Sequence, residues 1–207
     1  MSGNVSVGED TPPPAGSEAI LAEFRAAGAL LEGHFVLTSG LRSPFYLQCA
    51  RVLMDPRRAA RLVAALAPRL AAHPADLVVS PALGGIVFGY EVGRQLGLPA
   101  VFVERVEGRF ALRRGFAVEP GQRILVAEDV VTTGLSTREC IACCRAQGGS
   151  VVAACCLIAR SGGTAGLDVP LIALATLDLP TYAADAIPPD LAAIPPVKPG
   201  SRISATA

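Results

Sequence analysis

Two adjacent carboxylates, Glu128 and Asp129, sit in the run I-L-V-A-E-D-V-V-T-T-G-L-S-T, residues 124 to 137. Carboxylates so placed accept hydrogen bonds from sugar hydroxyls or hold a hard cation. After them comes the small, hydroxyl-rich turn Val131-Thr132-Thr133-Gly134-Leu135-Ser136, which separates a buried strand at 124–127 from a helix at 137–146. A turn of this kind aims backbone N–H groups above the sheet, and the helix start adds partial positive charge. It is a phosphate cradle. Acids beside a phosphate cradle describe a pocket for a phosphorylated sugar.

Two commoner phosphate motifs are excluded. The run has no G-x-x-x-x-G-K-[ST], so it is not a nucleotide P-loop. No G-x-G-x-x-G follows a strand, so it is not a dinucleotide fingerprint either. With four apolar residues, two acids, two apolar residues, T-T-G and a hydroxyl tail, it resembles the phosphoribosyl-diphosphate (PRPP) signature of type I phosphoribosyltransferases.

The elements that must position these residues follow from periodicity and turn chemistry. Helical spacing runs through 17–29 with Ser17 as its cap, through 56–72 with an arginine-rich outer face, and through 86–96. Strands are predicted at 77–80, 100–104, 124–127, 151–158 and 171–174, and two short ones lie around the turn between 33 and 48. The alternation predicts an α/β fold, a doubly wound and mainly parallel sheet flanked by helices. Ligands of such sheets bind beyond the carboxyl ends of the strands. That makes 81–85, 128–136 and 159–163 the exit loops of interest. Residues 105–119, with Arg105, Arg109, Arg113 and Arg114, read as a long, basic, mobile loop or hairpin. Residues 1–17 are predicted to be a disordered tail, 18–207 a single domain, and the proline-rich stretch from Pro180 a surface wrap.

Composition narrows the function further. The chain has 207 residues, 51% hydrophobic and only 5% aromatic, so its core must be aliphatic. Net charge is zero, which argues against a nucleic-acid surface. No apolar stretch reaches membrane-spanning length, and the N-terminus lacks a signal-peptide pattern, so a cytoplasmic protein is expected. The six cysteines have no partner histidine or second CxxC, and read as buried free thiols. Lys198 is the only lysine, so every other basic side chain is an arginine. Neither His34 nor His73 neighbours a carboxylate in sequence.

The resemblance extends beyond the first motif. G-H-F-V-L-T-S-G-L-R-S-P-F-Y-L-Q (33–48), S-P-A-L-G-G-I-V-F-G-Y-E-V (80–92), R-V-E-G-R-F-A-L-R-R-G-F (105–116) and V-K-P-G-S-R (197–202) are similar, in order, to orotate phosphoribosyltransferases of the shorter form. It implies a small N-terminal hood, from about 18–50 plus the C-terminal segment, above the main domain. It also implies transfer of the phosphoribosyl group of PRPP to orotate, giving orotidine 5′-monophosphate and pyrophosphate in pyrimidine synthesis. By the same resemblance Glu128 and Asp129 hold the ribose hydroxyls and stabilise the reacting ribose. PRPP is further held by Val130, Val131, Thr132, Thr133, Gly134, Leu135 and Ser136, and by Leu83, Gly84 and Gly85 of the diphosphate loop. Orotate meets Thr132, Arg160, Tyr46 and Leu47. Mg²⁺ is implied as cofactor, carried mainly by PRPP with no direct protein ligand.

Arg105 matches the arginine that opens the family's catalytic loop, and Arg109 stands where relatives usually carry a catalytic lysine. That loop closes over the neighbouring subunit's site, which implies a homodimer. Gly84 likewise replaces a lysine found in some relatives. Two alternatives share the same motifs, a type I transferase for another base and a catalytically weak PRPP-binding regulator.

Overall fold

The computed structural model describes residues 16–37, 40–160 and 165–199. The predicted tail, but for its last two residues, lies outside them, as do 161–164 of the third exit loop and the end of the V-K-P-G-S-R stretch.

In chain order the elements are α1 (Ser17–Ala26), β1 (Leu30–Val36), β2 (Arg42–Leu47), α2 (Cys49–Leu53), α3 (Pro56–Leu70), β3 (Leu77–Pro81) and α4 (Gly85–Leu96). They continue as β4 (Ala100–Val106), β5 (Arg109–Leu112), β6 (Arg123–Val131), α5 (Leu135–Ala146), β7 (Ser150–Ala159), β8 (Leu171–Thr176) and α6 (Pro189–Ala192). Helix α3 shows how local chemistry sets the boundaries. The Asp55 carboxylate accepts from the N–H groups of Arg57 and Arg58, and Pro56 occupies the first turn, where no N–H partner is missed. Ala59, Leu62, Val63, Leu66 and Leu70 then bury one face at helical spacing. Helix α1 departs from expectation. Gly16, not Ser17, takes the cap position, without a side-chain cap, and the helix stops at Ala26.

The main sheet has the order β5-β4-β3-β6-β7-β8. All its pairings are parallel except β4 with β5. The chain leaves β3 through α4 to β4 on one side, then crosses back to β6 and proceeds through α5 to β7 on the other. The strand order therefore reverses between β3 and β6, the switch point at which such sheets open a crevice.

Side chains alternate along the strands and fill two cores. Val78, Leu125, Ala127 and Cys155 face the layer of α1, α3 and α4. Leu77, Val79, Ile124 and Val126 face Cys140, Ile141 and Cys144 of α5. The architecture is the expected α/β one, mainly parallel with helices on both faces. The glycines of α4 let it lie unusually close to the sheet. A Cβ on Gly89 would collide with Ser80, and one on Gly93 would stand 2.8 Å from the Leu98 carbonyl oxygen. This close approach brings the start of α4 down onto the end of β6.

Strands β1 and β2 form a separate antiparallel ribbon. The C-terminal segment returns to it. Tyr182 bridges Arg42, and Val197 bridges Phe35. Of the basic stretch 105–119, read as a loop or hairpin, residues 105–112 form a hairpin and the rest is irregular. Glu107 and Gly108 make a two-residue turn with φ of 50° and 83°, and Val106 pairs with Arg109.

Candidate active site

Strand β6 runs on to Val131, so Glu128 and Asp129 lie within the strand rather than beyond it. The pleat alternates their directions. Glu128 turns toward α5, where Thr137 Oγ1 donates to its Oε2. Asp129 turns toward α4, and its Oδ1 accepts from the N–H of Val130 at 3.0 Å. A Cβ on Gly84 would stand only 3.1 Å from each Asp129 carboxylate oxygen. Burial pushes the Glu128 carboxyl up to about 7, against the Thr137 hydrogen bond and with added repulsion from Asp129. Burial also raises Asp129, partly offset by its backbone hydrogen bonds. Both acids need a polar partner in the cleft to ionise freely.

The cradle sits at the next step of the chain. Helix α5 begins at Leu135, two residues earlier than expected, and Gly134 caps it in a left-handed conformation with φ 72°. Glycine offers no side-chain acceptor, so the first-turn N–H groups have no capping side chain and are available to an anion. One turn on, Arg138 Nη1 donates to the carbonyls of Thr133 at 2.9 Å and Ala165 at 2.5 Å. That double contact pulls an acceptor carbonyl back from the cradle and ties the loop to the segment that follows β7.

The third wall comes from β7 and the ribbon. Arg160 is buried, with its backbone N–H on the Val131 carbonyl at 2.9 Å. Its guanidinium meets Ser43 Oγ at 3.1 Å, and Nε has no acceptor among the described residues. No carboxylate pairs with it there, and burial lowers its pKa. A buried, unpaired cation is costly unless an anion arrives. Beside it Tyr46 leans on Phe35 with ring centroids 5.6 Å apart. Burial and the nearby Asp129 raise the Tyr46 hydroxyl.

These walls enclose a cleft of about 410 Å³. Of the residues expected from sequence, Tyr46, Leu47, Glu128, Asp129, Val130, Thr132, Thr133, Gly134, Leu135, Ser136 and Arg160 line it together. Val131 does not, because its side chain is buried in the core. Leu83 is exposed on the neighbouring loop, whose Gly84 and Gly85 reach the site only through their approach to Asp129 and the Ala127 carbonyl. Arg105 and Arg109 lie outside the cleft. Arg105 pairs with Glu139, donates to the Gly108 carbonyl and covers the Phe110 ring. Arg109 is at the hairpin tip, exposed to solvent.

Sequence reasoning missed Thr137, Ser43, Arg138, Gln48, Cys49 and Pro199. Thr137 is the last hydroxyl of the signature, and its place as the partner of Glu128 depends on α5 folding back along β6. Pro199 reaches the cleft only because the C-terminal segment returns to the ribbon.

Glu128 and Asp129 are the two carboxylates lining the cleft. No group of three or more His, Cys, Asp or Glu side chains gathers among the described residues. Two hard oxygen donors suit a magnesium ion carried in on a polyphosphate better than one caged by protein alone. No described helix is long and apolar enough to cross a membrane.

Comparison with known proteins agrees with this geometry. The model of the phosphoribosyl transferase domain matches residues 55–168. An orotate phosphoribosyltransferase of Rhizorhabdus wittichii is 61% identical over 92% of this chain and 98% of its own length. The crystal structure of orotate phosphoribosyltransferase from Aeropyrum pernix superposes with a TM-score of 0.60 at 28% identity, over 76% of this chain and 93% of that one. An adenine phosphoribosyltransferase from Thermoanaerobacter pseudethanolicus shares the fold, with a TM-score of 0.56 at 22% identity, over 64% and 88% of the two chains.

Proposed function

The chain belongs to the phosphoribosyl transferase family, among the orotate phosphoribosyltransferases, and from that premise we propose that the cleft described above performs the transfer with the following roles. PRPP lies with its 5′-phosphate on the cradle formed by residues 131–136 and the start of α5. Its ribose hydroxyls donate to Glu128 and Asp129, and its diphosphate extends toward Leu83, Gly84 and Gly85. Orotate lies against Tyr46 and Leu47 with Thr132 at its edge. Its carboxylate accepts from Arg160, whose planar donors suit that group.

The reaction breaks the ribose C1–O bond to the diphosphate and forms a C1–N bond to orotate. Pyrophosphate leaves with the bonding electron pair, and positive charge develops on the ribose as it goes. Glu128 and Asp129, fixed at the end of β6, stabilise that charge without having to reorient. A Mg²⁺ ion carried in on PRPP beside Glu128 and Asp129 would neutralise charge on the leaving group. Arg105 and Arg109 supply further cations. Neither arginine lines its own cleft, and in the proposed homodimer each subunit's hairpin closes on its partner's site. The protein acts in the cytoplasm and needs no nucleic acid or membrane.

The observation that carries this reading is the buried Arg160 guanidinium, without a carboxylate partner among the described residues, on the same cleft as the two acids and the α5 N-terminus. A purine base has no carboxylate to neutralise it. The test mixes purified protein, PRPP and Mg²⁺ with orotate, adenine or hypoxanthine and follows absorbance. Loss of absorbance with orotate alone is expected. Turnover with a purine instead would sink the base assignment, and PRPP binding without any turnover would favour the regulator.

A further inference from the structure

Ser43 is fully buried in β2, yet its hydroxyl makes three hydrogen bonds. It donates to the Pro180 carbonyl at 2.9 Å, accepts from the Phe45 N–H at 3.2 Å, and accepts from Arg160 Nη2 at 3.1 Å. One proton and two lone pairs are all that a hydroxyl has, so its capacity is filled. It has nothing left to offer a substrate. Its proton is committed to the C-terminal segment and one lone pair to its own strand, so the remaining lone pair has a fixed direction. Arg160 is held along that direction.

We infer that Ser43 is a positioning residue for base recognition. It locks the Arg160 guanidinium in the orientation that receives the carboxylate of a planar acidic base. The backbone of Arg160 is already tied to β6 through Val131, so Ser43 fixes the other end of a long and otherwise adaptable side chain. With Nη2 held, the Nε–H stays without an acceptor among the described residues. A carboxylate in the cleft satisfies that donor and neutralises the cation together. Ser43 also joins three segments distant in sequence, namely β2, the end of β7 and the stretch before Tyr182. The geometry of the base subsite therefore depends on the hood being closed by the C-terminal segment.

This inference rests on the placement of orotate at Arg160. Its test measures separate KM values for orotate and PRPP in the wild type, in Ser43→Ala and in Ser43→Cys. The second variant keeps side-chain volume but substitutes a thiol, a weak acceptor. Loss of a buried hydrogen bond to a charged group predicts an orotate KM roughly ten- to a hundredfold higher in both. The KM for PRPP should stay within about twofold, because its subsite lies on other elements. In an Arg160→Ala background, Ser43→Ala should cost nothing further, since the two act as one unit. Equal increases in both KM values, additive losses, unchanged kinetics or failure of both variants to fold would each overturn the inference. A wild type that does not consume orotate would instead remove the base assignment on which it stands.

Discussion

Gly84 and Asp129 face each other so closely that even one methyl group on Gly84 would crowd the Asp129 carboxylate. A Cβ at Gly84 would lie 3.1 Å from both Asp129 oxygens. The contact arises because β3 and β6 are neighbours at the switch point and α4 packs its glycines on the sheet. Loop and acid thus form one surface against which the diphosphate and ribose of a single substrate can lie.

Gly84→Ala is expected to lower kcat several-fold, since a contact at 3.1 Å obliges Asp129 to shift by a few tenths of an ångström. Folding should be little affected, because Gly84 is exposed and has φ of −56°, an ordinary helical value. Steady-state kinetics together with thermal unfolding separate the two effects. An alanine variant as active as wild type would show that Asp129 does not need its present position.

Glu128 gives the site a pH dependence. Its carboxyl titrates at about 7, above its ordinary value of 4.5, chiefly because it is buried. Between those values the folded protein holds a proton that the unfolded chain has released. The contribution of this group to stability therefore falls as pH rises from about 4.5 through 7. Activity should move the other way, because the ionised carboxylate stabilises positive charge on the ribose far better than the neutral acid does. The kcat/KM for PRPP is expected to rise through about pH 7. Glu128→Gln should lose that rise along with most activity, and should also flatten the stability profile. Superimposable pH profiles in variant and wild type would refute the assignment.

Features contained in one stretch of chain were legible in advance. The strand, acid pair, cradle and helix of 124–137 are contiguous, so their relation is local. Arg160 lies in an exit loop that the strand pattern marked, but its role came from the family resemblance. What escaped notice is nonlocal or conformational. Ser43 and Arg160 lie 117 positions apart. The return of the C-terminal segment to the ribbon was expected from the family resemblance alone, since nothing periodic in that segment shows it. Residues 105–119 read equally as loop or hairpin, because the turn at Glu107-Gly108 puts a glutamate at positive φ, a weak signal beside Asn-Gly or Asp-Gly. The extra residues of β6 were unreadable for a physical reason as well. Acids at the end of a strand look like the start of a loop, although burial against α4 and α5 holds them in extended form.

Arg109 tests whether subunits share a site. On the proposed arrangement Arg109→Ala should depress kcat by about 10² or more while orotate KM changes little, because the hairpin acts mainly as the transition state forms. Asp129→Asn should be comparably inactive. Mixing the two variants and allowing subunits to exchange should then restore activity. In a mixed dimer one site combines an intact Asp129 with a partner's intact Arg109. Failure to regain activity, with exchange verified by mass, would place each hairpin over its own cleft.

Gly134 shapes both the start of α5 and its close contact with Ala165. It holds φ of 72°, and a Cβ there would stand 2.7 Å from the Ala165 carbonyl oxygen and 2.9 Å from the Ala165 side chain. Gly134→Ala therefore combines a strained backbone with a collision against backbone that Arg138 also grips. A loss of about 1–3 kcal/mol in stability is expected from strain and overpacking of this kind. PRPP affinity should fall further than stability alone requires, because the collision displaces the N–H groups at the start of α5. Urea unfolding gives the first quantity, and calorimetric titration with PRPP and Mg²⁺ gives the second. Orotate binding is the informative contrast. If the Arg138 bridge transmits the shift through Ala165 to the segment carrying Arg160, orotate affinity should weaken as well, by less than PRPP affinity. Unaltered PRPP binding in a folded Gly134→Ala variant would mean that the start of α5 is not where the phosphate is held.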